Sequence, residues 1–497
     1  MPGRGSLGAL LPARMPSPAT WVAVAMFGAA LLLRWPSFGD PAFNIDEEFY
    51  LLVGDRLLHG ALPYVDIWDR KPIGLFLLYA AIRLLGGDGV YQYQIVATLF
   101  AGGTAAVIAG IACRPAGLIG GTVAGLAYLL WIETVEGGGG QSPIFYNLFI
   151  AGAAAGILRA AEEQDRRRFR MLGFGAMVLV GVAIQVKYTA VFEGCYFGLL
   201  LAWWTLRRER PAPAMAWTLA LALTALAPTL AAIAAYAAIG QLDAFWFANF
   251  ISIFLRAPGN PAELHHRLWQ MGLHAVPFVL CIAAGVHHLR TVERPEVRRW
   301  QWIVAGWTIA ALVGFFSIGG LYFHYMLPLF VPLSVAAAPG FRRWPLGPVL
   351  AGLLLWLPLS HLHYPGTDAT ARSRARIAKL TALIPADVDR GCMQMFAGPP
   401  ILYKITRACL VTPYIFPDHL LAAREAPAIG VDQAIELRRA MARRPRVVVT
   451  SDTPWGWNPS SEAALRQVRD GHYRRVGRVL FDGYPCDVWV LPTPASR

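Results

Sequence analysis

From residue 21 onward the chain is a succession of apolar stretches parted by short, arginine-bearing turns, and this alternation constrains the fold most strongly. The stretches fall at 21–33, 91–112, 118–132, 144–160, 171–186, 188–206, 215–239, 268–289, 301–318, 321–338 and 345–362. Several are shorter than the roughly 20 residues that cross a bilayer as a helix, so their ends are soft, but together they predict about eleven spans. The composition agrees. Of 497 residues 56% are hydrophobic and 15% charged, against about 25% charged in soluble domains. An ordinary soluble enzyme, a disordered chain and a fibrous repeat are excluded.

The net charge of +13 would suggest a nucleic-acid partner on a soluble protein. Here the basic residues lie between apolar runs and read as topology signals, so no nucleic acid is expected. The stretch 72–85 opens with Pro72 and carries Arg83; it is read as a re-entrant or interfacial helix. With it set aside and the N-terminus inside, alternate turns hold Arg114; Arg166, Arg167, Arg168 and Arg170; Arg207, Arg208 and Arg210; Arg290, Arg294, Arg298 and Arg299; and Arg342 and Arg343. Arg4 and Arg14 precede the first run, which has no clean small-residue cleavage site and reads as an uncleaved span. The positive-inside rule puts these turns in the cytoplasm. The opposite side receives an acidic first loop, a glycine-rich loop at 133–142 and the loop 240–267.

The expected organisation is a cytoplasmic N-terminus at 1–18, a transmembrane module at 19–362 with its first outer loop at 35–90, and a small periplasmic α/β domain at 363–497. In that tail 370–384, 430–443 and 460–470 read as helices, and 392–396, 408–412, 446–450 and 475–491 as strands, the last turning at Asp482-Gly483. The fold class is thus an α-helical polytopic membrane protein with a small C-terminal α/β extramembrane domain. Six cysteines make no disulfide scaffold. Cys113, Cys195 and Cys281 accompany apolar runs. In an outside tail one pair among Cys392, Cys409 and Cys486 can be bridged, Cys392 with Cys409 first, and the free state stands equally open.

The first outer loop gathers Asp40, Asp46, Glu47, Glu48, Asp55, Asp66 and Asp69 against Arg56, Arg70 and Lys71, interleaved with Phe43, Phe49, Tyr50, Tyr64 and Trp68. Such aromatics suit the membrane interface or a sugar ring, and a positioned carboxylate beside them can serve as general base for a hydroxyl. The structural alternative is a capping box, Asn44 capping a helix and Glu47 returning a hydrogen bond. A cap can also orient the base. Arg70 and Lys71 stand where the chain re-enters the apolar layer, suited to a lipid phosphate or to snorkelling beside Asp66 and Asp69. Lys187 parts two apolar runs: a functional candidate or a snorkelling anchor. His324-Tyr325 opens a late run, where a lone histidine is more often structural. Arg256, His265, His266 and Arg267 are weaker candidates. No spacing matches a zinc site. Gly137–Gly140 reads as a flexible loop without a phosphate-loop lysine.

In order and spacing, Asp46-Glu47 after the first span, Lys71-Pro72 opening a short helix, the glycine-rich second loop, Lys187 and His324-Tyr325 resemble the polytopic GT-C-type glycosyltransferases. The branch is that of protein O-mannosyltransferases, the lipid A aminoarabinose transferase and related bacterial transferases. The resemblance covers about residues 20–340. It implies a polyprenyl-phosphate sugar as donor, glycosylation of an acceptor hydroxyl outside the inner membrane, usually with inversion, and no tightly bound cofactor. Asp46 would be the base with Glu47 supporting, and Lys71, with Arg70, would bind phosphate. Tyr64, Asp66, Lys187, His324 and Tyr325 would contact substrate. Many members carry an acidic residue in the second loop where this chain offers Asn147, which argues against a divalent metal and leaves Asn147 a polar contact. The acceptor, whether glycan, lipid or protein, is left open. A transporter or flippase of a lipid-linked sugar would use the same charges as a path. A scaffold acting through the tail is the third class.

Overall fold

A computed structural model describes residues 17–290, 295–317, 319–362, 366–451, 456–481 and 483–492. Arg4, Arg14, Arg294 and Asp482 lie outside the described residues.

The helices are α1 (Pro18–Arg34), α2 (Ile45–Leu57), α3 (Ile73–Arg83), α4 (Val90–Glu133), α5 (Ser142–Glu162), α6 (Arg166–Val186), α7 (Ala190–Arg208), α8 (Pro211–Ala238), α9 (Leu242–Trp246), α10 (Ser252–Leu255), α11 (Pro261–Arg290), α12 (Pro295–Phe316), α13 (Phe330–Ala337) and α14 (Leu346–His361). Among the described residues six helices are long and apolar enough to cross a membrane. Apart from 321–338, the apolar stretches fall largely on helices. The two stretches 91–112 and 118–132 are the halves of α4, broken at Gly117, whose φ of 71° is open to glycine. The halves fold back on one another: Gly121 leaves no room for a side chain against the Ala109 carbonyl, and Gly125 none against that of Ala105.

One apolar stretch departs from its expected form. The stretch 321–338 is not one long helix. It enters as a 3₁₀ turn at Phe323–Met326, forms only the eight residues of α13, and leaves as a second 3₁₀ segment at Ala338–Arg342. Pro328, Pro332 and Pro339 withhold three backbone donors, so an apolar run becomes a short, broken helix. The stretch 72–85, set aside from the spans, forms α3, whose eleven residues are about 16 Å long, too short to span.

The arginine-bearing turns share one end of the bundle. Arg114 pairs with Glu162 at 2.6 Å, Arg166 and Arg170 with Glu209 at 2.8 and 2.7 Å, and Arg299 donates to the Ala161 carbonyl at 2.6 Å. The acidic loop and the glycine-rich loop meet at the other end, where Arg34 is buried. It donates to the Gly137 carbonyl at 2.7 Å and to that of Gly139. The glycine-rich loop is therefore buried and pinned, not a flexible loop. Its glycines answer a packing demand, since a Cβ on Gly139 would overlap the Glu47 carboxylate and one on Gly140 the Tyr79 hydroxyl.

The tail adds α15 (Thr367–Ala382), α16 (Val388–Gly391), α17 (Ile401–Ile405), α18 (Gln433–Ala442) and α19 (Pro459–His472) to strands β1 (Met393–Met395), β2 (Val447–Thr450), β3 (Arg474–Phe481) and β4 (Tyr484–Val490). The sheet order is β1-β2-β4-β3, with β1 parallel to β2 and the other pairs antiparallel. Segment 408–412 makes a single bridge, Leu410 to Met393, instead of a strand. Arg407, at φ 53°, and Pro413 bound it too closely for a ladder. Cys392 and Cys409 are joined in a disulfide, and Cys486, outside it, is buried. The tail sits on the first loop: the Trp68 amide donates to the Pro413 carbonyl at 3.0 Å, Ile401 N to Glu48 Oε2 at 3.1 Å, and Arg374 Nε to the Gly39 carbonyl at 2.7 Å.

Candidate active site

Where first loop, bundle and tail meet lies a cavity of about 640 Å³. Its polar wall holds Asp46, Lys71, Gln141, Lys187, His324 and Glu425, while Ile184, Phe192, Leu226, Phe250, Ile253 and Phe254 line an apolar side. Phe254 is 83% exposed beyond it. A cavity with one charged wall and one greasy wall suits an amphiphile whose head group is ionic.

Asp46 stands in the first turn of α2. Asn44 caps that helix, its Oδ1 accepting from the Asp46 amide at 3.0 Å. Gln141 Nε2 donates to the same Oδ1 at 2.8 Å and lies 3.4 Å from Asp46 Oδ2. Burial alone would raise the Asp46 carboxyl. Lys71 and His324, with the Gln141 amide, outweigh it and hold the group below its ordinary value. Glu47 departs from the capping box and turns inward, fully buried beside Gly139. Burial pushes its carboxyl up to about 8, against the Gly140 amide and Arg34, which favour ionisation. The two adjacent acids thus have opposite environments: Asp46 ionised at the cavity wall, Glu47 protonated at neutral pH behind it.

Lys71 Nζ donates to the Tyr50 hydroxyl at 2.8 Å and lies 5.1 Å from that ring's centre. Burial would lower its ammonium, but Asp46 and Asp69 hold it above its ordinary value. Arg70 donates to Ser252 Oγ at 3.1 Å and to Glu425 Oε2 at 2.6 Å, and Arg256 pairs with the other oxygen of Glu425. Two arginines and a lysine therefore converge on the wall that carries Asp46. Lys187 lies 4.7 Å from the centre of the Tyr325 ring, and His324 pairs with Glu136 at 3.0 Å.

Of the residues singled out in the sequence, Asp46, Tyr50, Asp69, Arg70, Lys71, Lys187, Arg256, His324 and Tyr325 line this cavity. Tyr64, Asp66 and Asn147 are not among its lining residues. Tyr64 is buried at φ 71° and donates to the Lys71 carbonyl at 2.7 Å, bracing the turn that presents Arg70 and Lys71. Asp66 accepts from the Leu62 amide at 2.7 Å within that turn. Asn147 is buried, donating to the Tyr128 hydroxyl at 3.2 Å and the Leu327 carbonyl at 3.1 Å. The second-loop polar groups at the wall are Glu136, Gln141 and Ser142, so an acidic residue of that loop does face the cavity.

The tail supplies Phe416, Asp418, His419 and Glu425 to the same cavity, which sequence reasoning did not foresee. Burial and the neighbouring Arg70 press His419 down to about 3, so it is a neutral wedge, 4.7 Å from the Trp68 ring centre. Burial would raise Glu425, but Arg70 and Arg256 bring it to about 2. Charged residues at 418–425, inside an otherwise apolar stretch of the tail, were the one available signal. Among the described residues no cluster of three or more His, Cys, Asp or Glu side chains suits a metal ion.

Helices around an acid-and-lysine loop, with a small α/β domain behind them, make a fold shared with solved membrane proteins. Over 95% of this chain and 97% of its own, the ArnT of Cupriavidus metallidurans bound to undecaprenyl phosphate superposes with a TM-score of 0.60 at 14% identity. The Archaeoglobus fulgidus oligosaccharyltransferase in its apo form gives 0.51 at 11% identity, over 93% of this chain and 80% of that one. The archaeal oligosaccharyltransferase AglB from the same organism, in complex with an inhibitory peptide and a dolichol-phosphate, gives 0.52 at 10% identity, over 87% and 69%. No protein-family model and no curated protein matches the sequence.

Proposed function

We propose that this protein is a membrane glycosyltransferase that moves a sugar from a polyprenyl-phosphate donor to an acceptor hydroxyl, with inversion. The observation that carries this is the meeting of an ionised carboxylate, Asp46, with Lys71 in a cavity whose opposite wall is apolar. In this reading the lipid lies along Phe192, Leu226 and Phe250, and its phosphate rests at Lys71 with Arg70 and Arg256 behind. Asp46 takes the proton of the acceptor hydroxyl as its oxygen bonds to the anomeric carbon. The bond from that carbon to the phosphate oxygen breaks on the opposite face, and the charge left on the lipid phosphate is met by Lys71. Lys187 and Tyr325 line the space around the sugar. The tail closes the site, and excluding water favours the acceptor over hydrolysis.

The structures of similar fold support the donor class, since one holds undecaprenyl phosphate and another a dolichol-phosphate. In the proposed setting the module at 19–362 lies in the bacterial inner membrane with the arginine-bearing end in the cytoplasm, as the positive-inside rule asks. The domain at 363–497 is then periplasmic, and the Cys392–Cys409 disulfide suits that compartment.

The test is transfer of radiolabelled sugar from membrane lipid extracts to endogenous acceptors, with wild type and Asp46→Asn at matched expression. Label that moves only with the wild type supports the reading. Equal transfer in both removes Asp46 as the base. No transfer in either, with lipid-linked sugar accumulating on one leaflet when the protein is absent, replaces the transferase by a flippase.

A further inference from the structure

At the arginine-bearing end of the bundle, between the start of α6 and the start of α8, lies a second cavity, an open groove of about 560 Å³ lined by Arg166, Arg167, Arg170, Met171, Phe174 and Trp217, with Asp165 at its rim. It is remote from the candidate active site. Helix α6 has 21 residues, so it is about 31 Å long, and Lys187, just past its far end, lines the other cavity. That length matches the hydrocarbon core of a bilayer.

The local charges are not self-sufficient. Arg166 and Arg170 share one carboxylate, Glu209. The Asp165 side chain is spent as the cap of α6, accepting from the Arg168 amide at 2.8 Å. Arg167 adds a third guanidinium to the groove. Arg170 lies over the Trp217 ring, its guanidinium carbon 5.2 Å from the centre. In that stack Arg170 Nε and Trp217 Nε1 are both buried, and neither donates to any protein acceptor. A buried donor left unpaired costs about 1–3 kcal/mol, so two side by side call for an acceptor from elsewhere.

The flank of the groove is greasy. One helical turn separates Met171 from Phe174, and they are 64% and 48% exposed along α6 in the direction of the bilayer centre. A free phosphate would gain nothing from them, whereas acyl chains would cover them.

We propose that this groove binds the head group of an anionic phospholipid from the leaflet opposite the candidate active site. The phosphate oxygens would accept from Arg170 Nε and Trp217 Nε1, Arg167 would supply the long-range charge, and an acyl chain would lie on Met171 and Phe174. The assignment does not depend on the transferase reading.

Native mass spectrometry of the full-length protein tests it, titrating dioleoylphosphatidylglycerol or dioleoylphosphatidylcholine into detergent. Wild type is expected to retain the anionic lipid in preference to the zwitterionic one. Each arginine near a membrane surface contributes roughly fivefold in affinity, so Arg167→Gln with Arg170→Gln should weaken phosphatidylglycerol binding on the order of twentyfold. Trp217→Phe keeps the ring and removes the donor; it should weaken binding by a smaller factor, and it decides the matter if the double variant does not fold. Equal retention of the two lipids overturns the proposal, as does unchanged binding in folded Trp217→Phe. Displacement of the lipid by millimolar inorganic phosphate would make this a site for free phosphate and overturn it equally.

Discussion

The Glu425 carboxylate of the tail accepts a hydrogen bond from Arg70 of the first loop at 2.6 Å, across 355 residues of chain. Its other oxygen takes Arg256. One carboxylate thus holds two guanidinium groups at the wall that carries Lys71 and Asp46, and the tail becomes part of the site.

Replacing Asp46 with Asn keeps the shape of the cavity and removes only the proton acceptor. Loss of a general base typically costs about 10²–10⁴-fold in rate, so Asp46→Asn should fold, bind donor and lose turnover by that factor. Measuring transfer alongside the thermal midpoint in detergent separates lost chemistry from lost structure. Near-normal transfer would assign the base elsewhere.

The pH dependence follows from the same residue. The competent form of Asp46 is ionised, and Lys71, His324 and Gln141 hold its carboxyl below the ordinary aspartate value despite burial. Transfer limited by Asp46 should therefore stay flat from neutral pH down to the ordinary carboxylate range and fall only below it. A lowered folded-state value also means that Asp46 stabilises the fold above its unfolded value and loses that contribution as pH falls. In Lys71→Met the limb should move to higher pH, since the largest opposing charge is gone. A profile that does not move would mean that Lys71 does not act on Asp46.

Lys71→Met should also raise the KM for a polyprenyl-phosphate donor. Lys71 donates to one neutral hydroxyl, that of Tyr50. A charge-assisted hydrogen bond is worth about 1.5–3 kcal/mol, or roughly 10- to 150-fold in donor affinity. Titration with the polyprenyl phosphate itself, without a sugar, measures that loss apart from the chemistry. Unchanged affinity would place the phosphate elsewhere.

How much of this the sequence could carry differs between elements. Hydrophobic runs locate helices because burial in lipid is a local property of each residue, so the apolar stretches recover the bundle. Asp46 and Lys71 were legible because charges beside spans are costly and few. Proline altered 321–338: an apolar run reads as a span until Pro328, Pro332 and Pro339 are weighed as lost donors. The glycine-rich loop read as flexible because glycine signals freedom in a sequence, whereas here it signals contact with Arg34 and Glu47. Glu425 stood out only as a charge in an apolar stretch of the tail, and its role was not legible. Its meaning depends on a tertiary approach, and nothing within twenty residues of it hints at Arg70.

That approach supplies the last prediction. Glu425 is 2% exposed, and removing one partner of a buried ion pair costs about 3–5 kcal/mol because the charges left behind are unpaired. Glu425→Gln strands two guanidiniums, so the tail should undock: faster hydrogen exchange at 414–428, a lower thermal midpoint, and easier proteolysis near residue 363. Burial would raise the Glu425 carboxyl, but Arg70 and Arg256 bring it to about 2 in the folded protein. Its stabilisation is therefore complete above the unfolded glutamate value and lost as pH falls toward 2. The wild type should show this acid-induced loosening of the tail, and Glu425→Gln should not, being loose throughout. If wild type and variant exchange at the same rate at neutral pH, the tail is held by its other contacts, such as Trp68 to Pro413 and Arg374 to Gly39, and Glu425 serves only to hold the two arginines in place.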